Sequence, residues 1–113
     1  MESTLGGALL VDKPAGPTSH EVVARVRRLF GTRAVGHTGT LDPFATGLLV
    51  LVLGSATRMA RWAERRPKTY RAVARLGQVT TTDDLTGEVL EDNQQIAWPA
   101  KPTVEQALNR TWL

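Results

Sequence analysis

Apolar positions in this chain come in short runs whose period changes, and each change predicts an element. Gly7–Val11 (G-A-L-L-V) is a continuous apolar run and predicts a short buried strand, ended by Asp12-Lys13-Pro14 and a loop punctuated by Gly16 and Pro17. Thr18, with Glu21 three residues on, spells a capping box that starts a helix. On a helical wheel Val22, Val23, Val26, Leu29 and Phe30 fall within an arc of roughly 120°, with Arg25, Arg27 and Arg28 outside it. Gly31 stands where a left-handed C-terminal cap belongs. The expectation is a packed amphipathic helix with a basic outer face.

Ala34–Thr46 has neither the helical nor the strand period. Gly47–Leu53 is apolar throughout, bounded by glycines, and predicts a central strand. Ser55 is placed to cap a second helix ending at Arg66, because Pro67 disfavours helix at the residue before it. On that helix Arg58, Arg61 and Arg65 share one face, Met59, Ala60 and Ala63 the opposite one, and Trp62 the border. Thr69–Leu76 alternates, with Tyr70, Ala72, Ala74 and Leu76 on one side, and predicts a half-exposed antiparallel strand. Thr80–Gly87 reads as a turn and Glu88–Glu91 as a returning hairpin strand. After a Pro99–Pro102 linker, Thr103 and Gln106 spell a second capping box for a closing helix to Trp112. No internal repeat is visible, and the order of elements predicts a mixed α/β or α+β sheet domain.

Composition narrows the classes. A chain of 113 residues is one domain's worth, enough to bury about two-thirds of its unfolded surface. A hydrophobic content of 42% argues against disorder. With no cysteine there is no disulfide, thiolate zinc site or cysteine nucleophile, which suits a reducing compartment. Leu48–Leu53 is the longest apolar stretch and far too short to span a bilayer, and Met1–Gly7 lacks a basic secretory start. A cytoplasmic protein without a membrane partner is expected. The charge is uneven: residues 1–76 carry 12 basic and 5 acidic side chains, residues 77–113 carry 2 and 6. Eleven of the 14 cations are arginine, whose planar fork suits phosphate. This points to a nucleic-acid or phosphate partner, although a solvated arginine-biased surface has the same composition.

Gly36–Gly47 (G-H-T-G-T-L-D-P-F-A-T-G) is where structural needs stop explaining the sequence. It is not a Walker loop, since no Gly-Lys-Ser/Thr ends it, and not a zinc site, since His37 has no partner at ligand spacing. Taken singly, Asp42-Pro43 is also a turn or helix cap, His37 a loop histidine and Tyr70 a core residue of an alternating strand.

Taken whole, the string resembles the catalytic loop of the TruB family of RNA pseudouridine synthases, G-H-x-G-x-L-D-P-x-A-T-G. Asp12-Lys13-Pro14 with Gly16, Thr18 and Ser19 resembles that family's D-K-P-x-G-x-[ST]-S opening. Tyr70-Arg71 with Leu76-Gly77 resembles its Y-x-x-x-x-x-L-G strand, and the Thr/Asp-rich turn with Gly87 resembles the family's turn after that strand. Four ordered motifs thus cover residues 7 to about 92. The resemblance implies an α+β fold, a mixed, mainly antiparallel sheet with flanking helices, here an incomplete pseudouridine synthase fold.

It also implies an isomerisation: the N-glycosidic bond of a uridine breaks, the base turns over, and C1′ is rejoined at C5. No atom is gained and no redox change occurs, so neither cofactor nor metal is expected. By resemblance Asp42 is the carboxylate that carries C1′ through its cationic stage, whether by addition or through a glycal route. Tyr70 would stack on the uracil and assist loss of the C5 proton. His37 would wedge into the RNA beside the flipped nucleotide, and Thr38 and Gly39 are candidate RNA-binding positions beside it. Arg25, Arg28, Arg58, Arg61 and Arg65 are candidates for phosphate contacts. Lys13, Pro14, Gly36, Pro43 and Gly47 are motif positions with a structural role, as are Asp83 and Asp84. The implied substrate is the T-arm of tRNA, modified at its T-loop uridine as by a tRNA pseudouridine-55 synthase.

The chain departs from the family in length. Family members continue past a helix like Thr103–Trp112 into a G-x-x-x-Q-x-P-P-x-Y-S-A-x-K segment, the second half of the catalytic domain and often an RNA-binding appendage. The arginine that pairs with the catalytic carboxylate lies in that part. Residues 1–113 are therefore expected to be an N-terminal portion of such an enzyme, poorly active alone and self-associating through an unpaired sheet edge or apolar surface. Two other readings stay open: a non-catalytic RNA- or phosphate-binding module, and a guide-RNA-dependent relative that shares the loop.

Overall fold

The apolar run at the start of the chain forms β1 (Gly7–Lys13), which pairs antiparallel with β3 (Gly47–Leu53) in the register Gly7↔Leu53 to Lys13↔Gly47. This is a computed structural model, and it describes residues 6–93, 97 and 99–111. They fall into two units, Met1–Tyr70 and Arg71–Leu113.

In the first unit β3 is the central strand of a three-stranded sheet ordered β1-β3-β2, where β2 is Val35–His37 and is also antiparallel to β3. Strand β2 has no signature in the sequence, because three residues are too few to display a period. It exists because Val35, Gly36 and His37 pair with Leu53, Val52 and Leu51. The strand expected at Gly7–Val11 runs on to Lys13 and is an edge strand, not a buried one: Leu9 and Val11 pack on the core while Leu10 is 67% exposed.

Helix α1 (Ser19–Phe30) begins and ends as its spelling requires. The Thr18 side chain accepts from the Glu21 N–H, the Glu21 carboxylate accepts from the Thr18 N–H, and Gly31 closes the helix in the left-handed conformation. Val23 and Val26 pack on Val35, Leu49, Leu51 and Leu53, with Leu9, Val11, Val22 and Leu41 around them. Leu29, at 74% exposure, leaves the predicted apolar arc, whereas Phe30, though exposed, lines a surface cavity with Gly7, Ala8, Leu9 and Leu53. Arg27 leaves the basic outer face: its Nη2 donates to Val35 O at 3.1 Å and ties helix to strand. Arg25 and Arg28 remain exposed.

The second predicted helix is shorter and tighter than expected. Gly54–Met59 forms a 3₁₀ helix and only Ala60–Glu64 is α-helical (α2). Ser55 caps nothing; Leu53 holds the N-cap position, and Thr57 Oγ1 donates to Gly54 O instead. The hydrogen bonds of this segment are of the short-range i to i+3 kind, which rarely persist for long.

In the second unit, β5 (Val89–Asp92) returns after the polar turn as expected, but its hairpin partner is β4 (Gln78–Thr80) and not the predicted Thr69–Leu76, with a register shift between Val79 and Thr80. The strand predicted at Thr69–Leu76 does not form. Residues 67–75 are without regular structure, and Val73 is 95% exposed. Alternation specifies two faces, but a strand also needs a neighbour to complete its hydrogen bonds, and among the described residues this segment has none. Helix α3 (Lys101–Thr111) starts before its predicted cap. Thr103 and Val104 donate to Ala100 O, so Thr103 is inside the helix and Pro102 occupies the first turn, where no donor is missed. The predicted helix end at Trp112 lies outside the described residues.

Candidate catalytic loop and nucleic-acid interface

Strand pairing brings two loops to one end of the sheet. Because Lys13 lies opposite Gly47, the loop after β1 and the loop before β3 leave the sheet side by side. Gly47 opens β3 at a φ of 123°, a conformation that side-chain-bearing residues rarely adopt, so the chain can turn sharply into the strand there.

The two loops are joined by three sets of hydrogen bonds. Lys13 is fully buried, and its Nζ donates to Pro14 O and Pro17 O, each at 2.8 Å, and to Pro43 O at 3.1 Å. An ammonium has three N–H donors and all three are matched. Pro43 O also accepts from Gly16 N at 2.7 Å. Ser19, 3% exposed, donates from Oγ to Leu41 O at 3.0 Å and accepts from Leu41 N at 2.9 Å. The residues on either side of Asp42 are thereby fastened to the β1–α1 region, while the Asp42 carboxylate is exposed and has no hydrogen bond or ion pair among the described residues. Asp42 O accepts from Ala45 N, which closes the turn on the far side.

The rest of the loop is ordered from its own strand. Thr38 is buried, and both its N–H and its Oγ1 bond Val50 O at 3.0 Å. His37 is half-buried with Nδ1 at 2.9 Å from Gly39 O. A carbonyl only accepts, so that bond requires a proton on Nδ1 and leaves Nε2 of the neutral ring as an acceptor.

Of the residues singled out from sequence, Lys13, Pro14, Asp42 and Pro43 are brought together by these bonds, as are His37 and Gly39. Gly36 lies in β2 opposite Val52. The arginines sit on separate elements: Arg25 and Arg28 on α1, Arg58 in the 3₁₀ helix, Arg61 on α2 and Arg65 just after it, all exposed. The Arg65 guanidinium stacks 5.7 Å from the centre of the Trp62 ring. Tyr70 ends the first unit, 66% exposed, and no hydrogen bond joins its hydroxyl to Asp42.

Lys68 was not picked out from sequence. A Cβ built on Gly39 would lie 2.9 Å from its Nζ, so the ammonium stands directly over the loop. The available signal was the basic run Arg65-Arg66-Pro67-Lys68, which does not tell which cation turns inward. In the second unit, Asp83 takes a left-handed φ of 57° and Asp84 organises the hairpin turn. Asp84 Oδ1 accepts from Thr82 Oγ1 and from the N–H and hydroxyl of Thr86, and these bonds, Thr82 first, hold its carboxyl below the ordinary range. That is a structural role, as expected. Among the described residues no group of His, Asp and Glu is disposed to hold a metal, and no helix is long and apolar enough to cross a membrane.

Comparison with known proteins agrees with the loop. Residues 27–111 match the model of the TruB family pseudouridylate synthase N-terminal domain. The chain is 64% identical over 85 residues to tRNA pseudouridine synthase B of Thermobifida fusca, covering 75% of this chain and 29% of that protein. It is 60% identical over 94 residues to the same-named protein of Leifsonia xyli (83% and 31% covered) and 48% identical over 109 residues to that of Mycobacterium bovis (96% and 35%). It thus spans roughly a third of the length of these relatives. Among solved structures it is similar to a chain of an H/ACA RNP bound to a substrate RNA containing 2'-deoxyuridine, at 46% identity over 50% of this chain and 18% of that one, with a TM-score of 0.48. On the family match, which covers most of its residues, the chain belongs to the TruB family of pseudouridylate synthases.

Proposed function

We propose that this chain supplies the catalytic loop of a tRNA pseudouridine synthase that converts the T-loop uridine of tRNA to pseudouridine in the cytoplasm. The observation that carries this reading is the state of Asp42: an exposed carboxylate on a loop whose backbone is pinned on both sides by Lys13 and Ser19. A carboxylate held in this way faces an incoming sugar with little reorganisation and stabilises positive charge developing at C1′. The base then turns over, and Tyr70, exposed after the helical segment, supplies a ring to stack on the uracil and a hydroxyl for the proton that leaves C5.

Access to a uridine stacked in the loop requires extrusion, which costs up to a few kcal/mol. His37, half-buried and oriented through Nδ1, is the wedge that refills the stack, with Thr38 and Gly39 shaping the turn behind it. Arg25, Arg28, Arg58, Arg61 and Arg65 contribute phosphate contacts that position the RNA without reading its sequence. The two-thirds of the relatives' length that this chain does not span supplies the arginine partner of Asp42 and further sheet, so the 113-residue chain by itself turns over poorly and self-associates.

The test is hydrogen release from C5-labelled tRNA by an enzyme joining this chain to the remainder of the Thermobifida fusca relative. Asp42→Asn is expected to abolish release while leaving tRNA binding largely intact. Release that persists in Asp42→Asn would overturn the assignment. Modification of a free T-arm stem-loop without any guide RNA separates this function from that of a guide-dependent relative.

A further inference from the structure

Gly39 has no positive φ, so its backbone does not need a glycine. Lys68 Nζ and Cε would lie 2.9 and 3.3 Å from a Cβ there, so the exposed end of the lysine side chain rests against the loop at this residue. The ammonium is exposed, and among the described residues it forms no ion pair and no hydrogen bond; it is therefore not the counter-ion of Asp42, three residues further along the same loop. Pro67 directly precedes it, and Arg65 and Arg66 before that are exposed as well. A cation brought this close to a loop backbone, yet left without a protein anion, is in place for an anion that arrives with a ligand.

We infer that Lys68 and the open Cα face of Gly39 form a phosphate subsite, which takes a backbone phosphate of the RNA next to the nucleotide extruded at Asp42. This rests on the functional reading above and adds to it a binding residue distinct from the arginines. The subsite works by position. The five arginine candidates are spread over the α1 and 3₁₀–α2 surfaces, whereas Lys68 fixes one phosphate against the loop that carries the carboxylate. Gly39 is the complementary half, because a methyl group there displaces the ammonium without removing its charge.

The experiment is RNA binding by the full 113-residue chain across a salt series, with a T-arm stem-loop as the probe. Lys68→Ala is expected to weaken binding by about tenfold and to lower the slope of log K against log salt by roughly 0.7–0.9, the change for one phosphate contact. Lys68→Arg retains most of the slope. Gly39→Ala weakens binding in the parent but adds little to Lys68→Ala. A methylphosphonate scan of the RNA backbone should reveal one position where neutralisation harms the parent and not Lys68→Ala. Equal slopes for the parent and Lys68→Ala, or additive losses in Gly39→Ala/Lys68→Ala, overturn the subsite while leaving the function standing. A parent chain whose RNA binding ignores salt overturns both. Circular dichroism of each variant is the check that substitution at exposed Lys68 and half-buried Gly39 leaves the fold intact.

Discussion

Lys13 is fully buried, and its three carbonyl partners show what that burial secures. Pro14 O and Pro17 O belong to one loop and Pro43 O to another, so a single ammonium sets the spacing between them. Ser19 repeats the arrangement with Leu41, giving and taking one hydrogen bond through the same oxygen. Asp42 is exposed yet not free to wander, because the peptides before and after it are held. Lys13→Met keeps the stem and removes the charge, taking the ammonium donor from Pro14 O and Pro17 O and leaving Pro43 O with Gly16 N alone. It should lower stability by about 3 kcal/mol in urea unfolding. Lys13→Arg should not restore it, since a flat guanidinium cannot follow three carbonyls converging on one point. An unchanged midpoint in Lys13→Met would mean that the loops hold together without the ammonium.

At the scale of elements, the pieces that formed as expected are those with complete local instructions. Helix α1 carries its own start and stop, and β3 carries enough apolar side chains to be buried on either side. The hairpin turn is similarly self-contained, since Asp84 gathers the donors of Thr82 and Thr86 within a few residues. Its carboxyl titrates below the ordinary aspartate value when the turn is formed. The stabilisation is therefore fully present above the unfolded-state value and is lost as pH falls through the lower, folded one. The protection of the Thr86 amide, its exchange measured against an unstructured peptide at the same pH, should hold at neutral pH and fall only below the usual carboxylate range. Asp84→Asn should exchange faster at neutral pH and lose the acid dependence. By contrast Thr69–Leu76 has strand alternation and no strand, because its instructions name two faces and no partner.

Over the molecule as a whole, the first unit has a sheet with one face packed on α1 and an opposite face that buries Val52 but leaves other apolar side chains open. Leu9, Val11, Leu49 and Leu51 meet α1, whereas Leu10 and Leu48, which the β1–β3 register places on the opposite face, are 67% and 64% exposed. Apolar side chains left in water on a sheet favour association. Sedimentation velocity of the 113-residue chain should show concentration-dependent association, and Leu10→Glu with Leu48→Glu should shift it towards monomer. If the charged variant associates as the parent does, this face is not responsible.

The capping box, the C-terminal glycine, the central apolar strand and the catalytic-loop motif could all be read along the chain, because each is a short-range pattern of hydrogen bonds or periods that fits within a few residues. Strand β2, the outward turn of Leu29, the inward reach of Arg27 and the position of Lys68 over Gly39 could not. The bonds that hold Asp42 join residues 22 and 30 positions apart, from Ser19 to Leu41 and from Lys13 to Pro43. No local window contains both partners of such a bond. Sequence alone thus determined which residues are candidates for the chemistry, while the antiparallel pairing of β1 with β3 decided that a buried lysine would hold the candidate loop, because only pairing across that separation brings the two loops to one end of the sheet.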